Sequence, residues 1–154
     1  MNLLDLVAEA KSSGNVAALV DSMPYVRFMG IAPENSTGEL LTRMRFDGLL
    51  IGNPVLPALH GGTIGALLES AAIFHLLWSS DSVTIPKIVN ITVDYLRSAR
   101  PVDTLAKATV TKQGRRVVNV FVEAWQEDRA KPVANANAHF LVQPPDGELP
   151  PASL

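Results

Sequence analysis

The stretch Leu59-His60-Gly61-Gly62-Thr63-Ile64-Gly65-Ala66-Leu67-Leu68-Glu69-Ser70-Ala71-Ala72-Ile73-Phe74-His75-Leu76-Leu77-Trp78 decides how the chain is read. Ile64, Leu67, Leu68, Ala71, Ala72 and Leu76 recur at the three- and four-residue spacing of a helix. Ile73, Phe74, Leu77 and Trp78 carry apolar character around it, so the pattern predicts a helix over about residues 61–78 that is buried nearly all round. A membrane span here would bury Glu69 and His75 at depth after opening on two glycines, so a core helix is expected and no membrane.

Working outward, the segment before this helix contains Gly48, Gly52, Asn53, Pro54 and Pro57, and reads as an irregular connection. Further back, residues 27–32 and 39–46 read as two strands around the turn-rich Pro33-Glu34-Asn35-Ser36-Thr37-Gly38. Leu3, Leu6, Val7 and Ala10 mark an amphipathic helix, and Asn15 caps a second short one running to Met23, with Pro24 ending this helical extension of residues 1–23. After the central helix come four strand-like segments, residues 87–96, 105–112, 117–126 and 133–142, the last three forming a meander. In the last, Ala134, Ala136, Ala138 and Phe140 alternate with Asn135, Asn137 and His139, and alanines on one face let a helix lie close. The expected fold class is α+β, with one curved antiparallel sheet of five or six strands wrapped around the central helix. Residues 1–143 are expected to form a single domain, and residues 144–154 a flexible Pro-rich tail.

Composition narrows the function. The chain has 154 residues, 47% hydrophobic and 18% charged, with a net charge of −2, which is not the basic footprint of a nucleic-acid binder. No cysteine is present, so thiolate nucleophiles and zinc-thiolate sites are excluded; a reducing, cytoplasmic setting is expected. The N-terminus carries Asp5 and Glu9 in place of the basic start of a signal peptide. His75 and His139 have no acidic or histidine neighbours at ligand spacing, so no metal site is expected.

Between Asp47 and Asp81 the only formally charged residue is Glu69, in the middle of the most apolar helix. Burying a carboxylate costs on the order of several kcal/mol unless it is paired or protonated. Two readings compete: a structural glutamate satisfied by backbone amides or an arginine, and a catalytic one beside the space left by Gly65, Ala66 and Ala72. At the helix start, the amides of Gly61 and Gly62 have no intrahelical partner and lie at the positive end of the macrodipole. This is either a plain turn into a helix or an oxyanion-type site for a thioester or ester carbonyl. At ~1.5 Å per residue, Glu69 lies about 12 Å along the axis from these amides. One helix does not place both on one carbonyl, but two copies packing their helices antiparallel about a two-fold axis would, twice over.

Four pieces together resemble the PaaI-like branch of the hotdog acyl-CoA thioesterases: Asn53-Pro54 ahead of Leu59-His60-Gly61-Gly62, the helix carrying Glu69, Ile91-Thr92-Val93-Asp94-Tyr95-Leu96-Arg97-Ser98-Ala99-Arg100-Pro101, and the Gly114-Arg115 hairpin. The resemblance implies a hotdog fold whose dimers join two sheets edge to edge. It implies that Glu69 is nucleophile or general base, and that the amide of Gly62 or its neighbour polarises the thioester carbonyl across the dimer interface. His60 would position the loop or the substrate, or else act as a plain cap-region histidine. Asn53 matches the family's polar residue before the motif with a spacing one residue longer, or simply starts an Asn-Pro turn. Where some relatives carry a Ser or Thr one turn after the acid, this chain has Ile73. Arg97, Arg100 and Arg115 are candidates for the coenzyme A phosphates, against the alternative of solvated surface arginines. The function expected is hydrolysis of a small or medium acyl-CoA, aryl-acyl included, without cofactor, by a homodimer or a dimer of dimers. Its rivals are a non-catalytic acyl-thioester binding protein and a hydratase on the same fold, for which no second acid-base pair is found.

Overall fold

In the computed structural model, residues 2–79 and 85–142 are described. The expected tail at 144–154 lies outside them. Helix α1 (Leu3–Ser13) opens with Asn2, whose side chain accepts from the Leu4 and Asp5 amides, and closes at Gly14 in the left-handed region, φ 73°. Its buried Val7 and Ala10 join the core. Helix α2 (Ala17–Asp21) follows, with the Asn15 side chain accepting from the Ala17 amide at 3.0 Å.

Pro24 does not end the helical extension: it stands at the first position of a third helix, α3 (Pro24–Phe28), where its missing N–H costs nothing. The strand expected from residue 27 therefore begins later, as β1 (Ile31–Ser36). It pairs with β2 (Glu39–Met44) through Thr37 and Gly38, both at positive φ, 59° and 78°. The turn is thus tighter than Pro33-to-Gly38, because a two-residue hairpin needs only those two left-handed positions. The connection before the central helix is also more ordered than its glycines and prolines predict. It holds a 3-10 turn (Gly48–Leu50) and a small hairpin of β3 (Ile51–Asn53) and β4 (Ala58–Leu59).

The central helix is α4 (Gly61–Ser79). It is long and apolar enough to cross a membrane, yet Ile64, Leu67, Leu68, Ala71, Ala72 and Phe74 are all buried within the fold. Four strands follow: β5 (Lys87–Tyr95), β6 (Thr104–Gln113), β7 (Val117–Trp125) and β8 (Ala134–Leu141). The six-stranded antiparallel sheet runs β1-β2-β6-β7-β8-β5. Its register aligns Ala134, Ala136, Ala138 and Phe140 with Ala124, Val122, Val120 and Val118, all at most 1% exposed. Small side chains on this face let α4 lie close to the sheet, as the alternation in the last strand predicts. The architecture is the expected α+β one, a curved sheet around one central helix, with β5 on the edge.

Candidate active site

The site is built where α4 begins. His60 is held from three sides: its amide donates to the Leu50 carbonyl at 2.8 Å, its carbonyl accepts from the Thr63 amide and hydroxyl, and Gly52 packs against its backbone. A Cβ at Gly52 would lie 2.6 Å from His60 Cα, so only glycine fits there. The preceding residue, Leu59, donates to the Ala99 carbonyl at 2.9 Å, which ties the segment to the chain leaving β5.

One expectation about the helix start changes. The Gly62 amide does not point free: it donates to His60 Nδ1 at 2.9 Å, so the imidazole caps the helix. The Gly61 amide has no partner among the described residues. Of the two amides, Gly61 is therefore the one open to a ligand. An acceptor Nδ1 carries no proton, so neutral His60 bears its proton on Nε2.

Tyr95, at the end of β5, completes the arrangement and was not singled out as a site residue by sequence. Its hydroxyl donates to the Gly61 carbonyl at 2.8 Å, and its ring lies across the first turn of α4. Added Cβ atoms would stand 3.2 Å from the ring at Gly61 and 3.8 Å from the hydroxyl at Gly65. The missing side chains at both glycines, one turn apart, are what admit the ring. The only sequence signal for this contact was that glycine pair facing an aromatic at the end of a strand. Tyr95, Gly61, Leu59, Ile64, Leu96 and Ala99 line a cleft of ≈ 360 Å³.

Glu69 lies two turns beyond Gly61 on α4 and is half-buried. Among the described residues it has no hydrogen-bond or ion-pair partner. The reading of a structural glutamate held by amides or an arginine thus finds no such group among the described residues. Asn53 turns its side chain inward on its own loop: its carbonyl oxygen accepts from the Val55 and Leu56 amides at 3.0 and 3.2 Å, the geometry of an Asx turn.

The three arginines separate. Arg97 donates through Nε to the Pro132 carbonyl at 3.1 Å and borders the cleft beside Gly61. Arg100 is paired with Glu127. Arg115 stands with Lys112 and Arg116 around a second cleft of ≈ 510 Å³ at the opposite end of the sheet. That end is marked by the register Val117–Leu141–Lys87, whereas Tyr95 pairs with Ala134. Among the described residues no group of three His, Asp or Glu side chains comes together as metal ligands. His75, half-buried on α4, has its pKa lowered chiefly by burial and then by the positive charge of Lys107.

A six-stranded antiparallel sheet wrapped around one central helix is the hotdog fold. Comparison agrees: residues 56–143 match the model of the thioesterase superfamily, and the chain belongs to that family. A protein of known structure from Chromobacterium violaceum is 46% identical, covering 89% of this chain and 96% of its own, with a TM-score of 0.72. At lower identity the same fold recurs. A phenylacetic acid degradation-related protein from Ralstonia eutropha is 22% identical, covering 89% of this chain and 99% of its own, TM-score 0.70. A Bacillus halodurans protein crystallised with CoA is 19% identical, covering 91% and 90%, TM-score 0.70. A search of curated proteins finds no match.

Proposed function

We propose that this chain hydrolyses a small or medium acyl-CoA thioester, aryl-acyl included, to the free acid and coenzyme A, at two sites shared by a homodimer. The observation that carries this reading is Glu69, a half-buried carboxylate in an apolar helix with no partner of its own among the described residues. A group left in that state is suited to a substrate or a bound water.

The second copy follows from direction. Among the described residues β5 (87–95) is an edge strand, paired on one side, with β8. Val89, Tyr95 and Leu96 on and beside it are 61%, 58% and 48% exposed. If two copies pair β5 antiparallel near its middle, the Lys87 end of one lies beside the Tyr95 end of the other. Those ends are roughly 25 Å apart within one chain. The pairing would bring Arg115 of the second copy toward the cleft bearing Gly61 and Arg97, where its guanidinium would meet coenzyme A phosphates. It would also let Glu69 of one copy approach the Gly61 amide of the other.

In that site the Gly61 N–H polarises the thioester carbonyl and stabilises the oxyanion, helped by the positive end of α4. Glu69 either takes a proton from water as the water oxygen adds to the carbonyl carbon, or adds its own oxygen to form an anhydride that water then opens. In both routes the C–S bond breaks, the thiolate of coenzyme A leaves and takes up a proton. Cytoplasmic action belongs to the same proposal, since a chain without cysteine suits a reducing compartment.

The test is release of free thiol from butyryl-, octanoyl- and benzoyl-CoA. Wild type turns over at least one of them, and Glu69→Gln loses on the order of 10²–10⁴ in kcat. Binding of all three without thiol release by the wild type would instead make this a thioester-binding protein; full activity in Glu69→Gln would remove the carboxylate from the mechanism.

A further inference from the structure

We propose that Tyr95 is a positioning residue of the thioester site, acting through the Gly61–Gly62 peptide to hold His60 in the tautomer protonated on Nε2. The inference rests on the thioesterase reading of the same site. Four groups form a continuous hydrogen-bonded run: the Tyr95 hydroxyl donates to the Gly61 carbonyl at 2.8 Å, and across that peptide the Gly62 N–H donates to His60 Nδ1 at 2.9 Å. Carbonyl and N–H belong to one planar peptide group, so fixing one end fixes the direction of the other. A donor on the carbonyl oxygen draws electron density from the peptide nitrogen and makes its N–H the stronger donor.

The Tyr95 bond is not needed to satisfy the helix. In an α-helix the first carbonyl already accepts from the amide four residues on, here Gly65. What the bond supplies is orientation. It aims the Gly62 N–H at Nδ1, which keeps that nitrogen unprotonated and leaves the proton of the exposed imidazole on Nε2. The cleft then presents the Gly61 N–H, which has no partner among the described residues, while the Gly62 amide is withdrawn and His60 keeps its one donor on Nε2. Gly61 has a second role here, since any side chain on it would press the Tyr95 ring at 3.2 Å.

Tyr95→Phe removes only the hydroxyl and leaves the ring in place. Two measurements on the full chain are combined: steady-state hydrolysis of butyryl-, octanoyl- and benzoyl-CoA, and the ¹⁵N shifts of the His60 ring, assigned by their absence in His60→Asn. The expected result is a roughly tenfold fall in kcat with KM changed less than about twofold. Alongside it, the wild-type Nε2–H signal of His60 gives way to a mixture of tautomers, with an unchanged melting temperature. An unchanged tautomer, or a kcat within about twofold of wild type, overturns the proposal. If the wild type hydrolyses none of the thioesters, the functional reading fails, and the ring shifts alone decide whether Tyr95 governs His60.

Discussion

Gly52 shows how a residue without a side chain can shape a reactive site. Its Cα faces the backbone of His60 so closely that an added Cβ would lie 2.6 Å from His60 Cα and 2.8 Å from its Cβ. Neither atom is the loose end of a flexible chain, so Gly52→Ala must shift the backbone on one side of this contact, and His60 is expected to move. The expected cost is about 1–3 kcal/mol of stability from overpacking. A fall in kcat should accompany it, because His60 carries both the Gly62 cap and the chain into α4. Thermal melts and thiol release on the same sample check the pair of effects. A variant as stable as wild type would mean that β3 relaxes away from His60 instead. Glu69 is the opposite case, a half-buried charged side chain without a partner among the described residues, whose isolation in sequence left a structural and a catalytic reading open.

At the level of elements, strands β2 and β6 and the turn before β8 are joined by charge as well as by the ladder. Glu39 accepts from Arg129 at 3.0 Å through both of its oxygens and pairs with Lys107, while Arg129 lies 4.6 Å over the Trp125 ring. The Arg129 bonds first, and the Lys107 bond second, hold the Glu39 carboxyl down to about 2 from its ordinary 4.5. A carboxylate with a depressed folded pKa favours the fold wherever it is ionised in the folded state. Its contribution is therefore fully present above pH 4.5 and lost as the pH falls from there through about 2. Glu39→Gln should lower the melting temperature at pH 7 and leave it nearly unchanged at pH 2. Because the cluster is solvent-facing, added salt should shrink the difference at pH 7. A variant that loses as much at pH 2 as at pH 7 would show that packing, not charge, joins these elements.

The whole molecule exposes its edge. Among the described residues β5 has one neighbour, β8, and Val89 on it is 61% exposed. An apolar edge strand in water is a site for pairing with another strand. Val89→Asp would place a charge on that edge in both copies, at a desolvation cost the dimer would have to meet twice. The wild type should sediment as a dimer or a larger assembly; Val89→Asp should shift toward monomer and lose thiol release in proportion. A monomeric wild type that still hydrolyses thioesters would remove the shared site, and with it the joint role of Glu69 and Gly61 from different copies.

Much of this was legible in the chain itself. The helical period from Ile64 to Leu76 and the alternating alanines of β8 set the α+β architecture, because burial obeys the two periods of 3.6 and 2 that sequence displays directly. Glu69 stood out because a lone charge in an apolar run has few ordinary explanations. What sequence could not show were contacts between residues far apart in the chain. Tyr95 meets Gly61 across 34 positions, and Gly52 meets His60 through a small hairpin hidden among prolines and glycines. The spaced glycines at 61 and 65 are a faint trace of the first contact, and local pattern carries none of the second. The state of the paired glycines was decided the same way: sequence placed two equivalent free amides at the head of α4, and only the folded position of the imidazole took Gly62 and left Gly61 open. Period and composition determine which faces are buried; which donor stays free is decided by geometry assembled from three separate segments, and that exists only once the chain has folded.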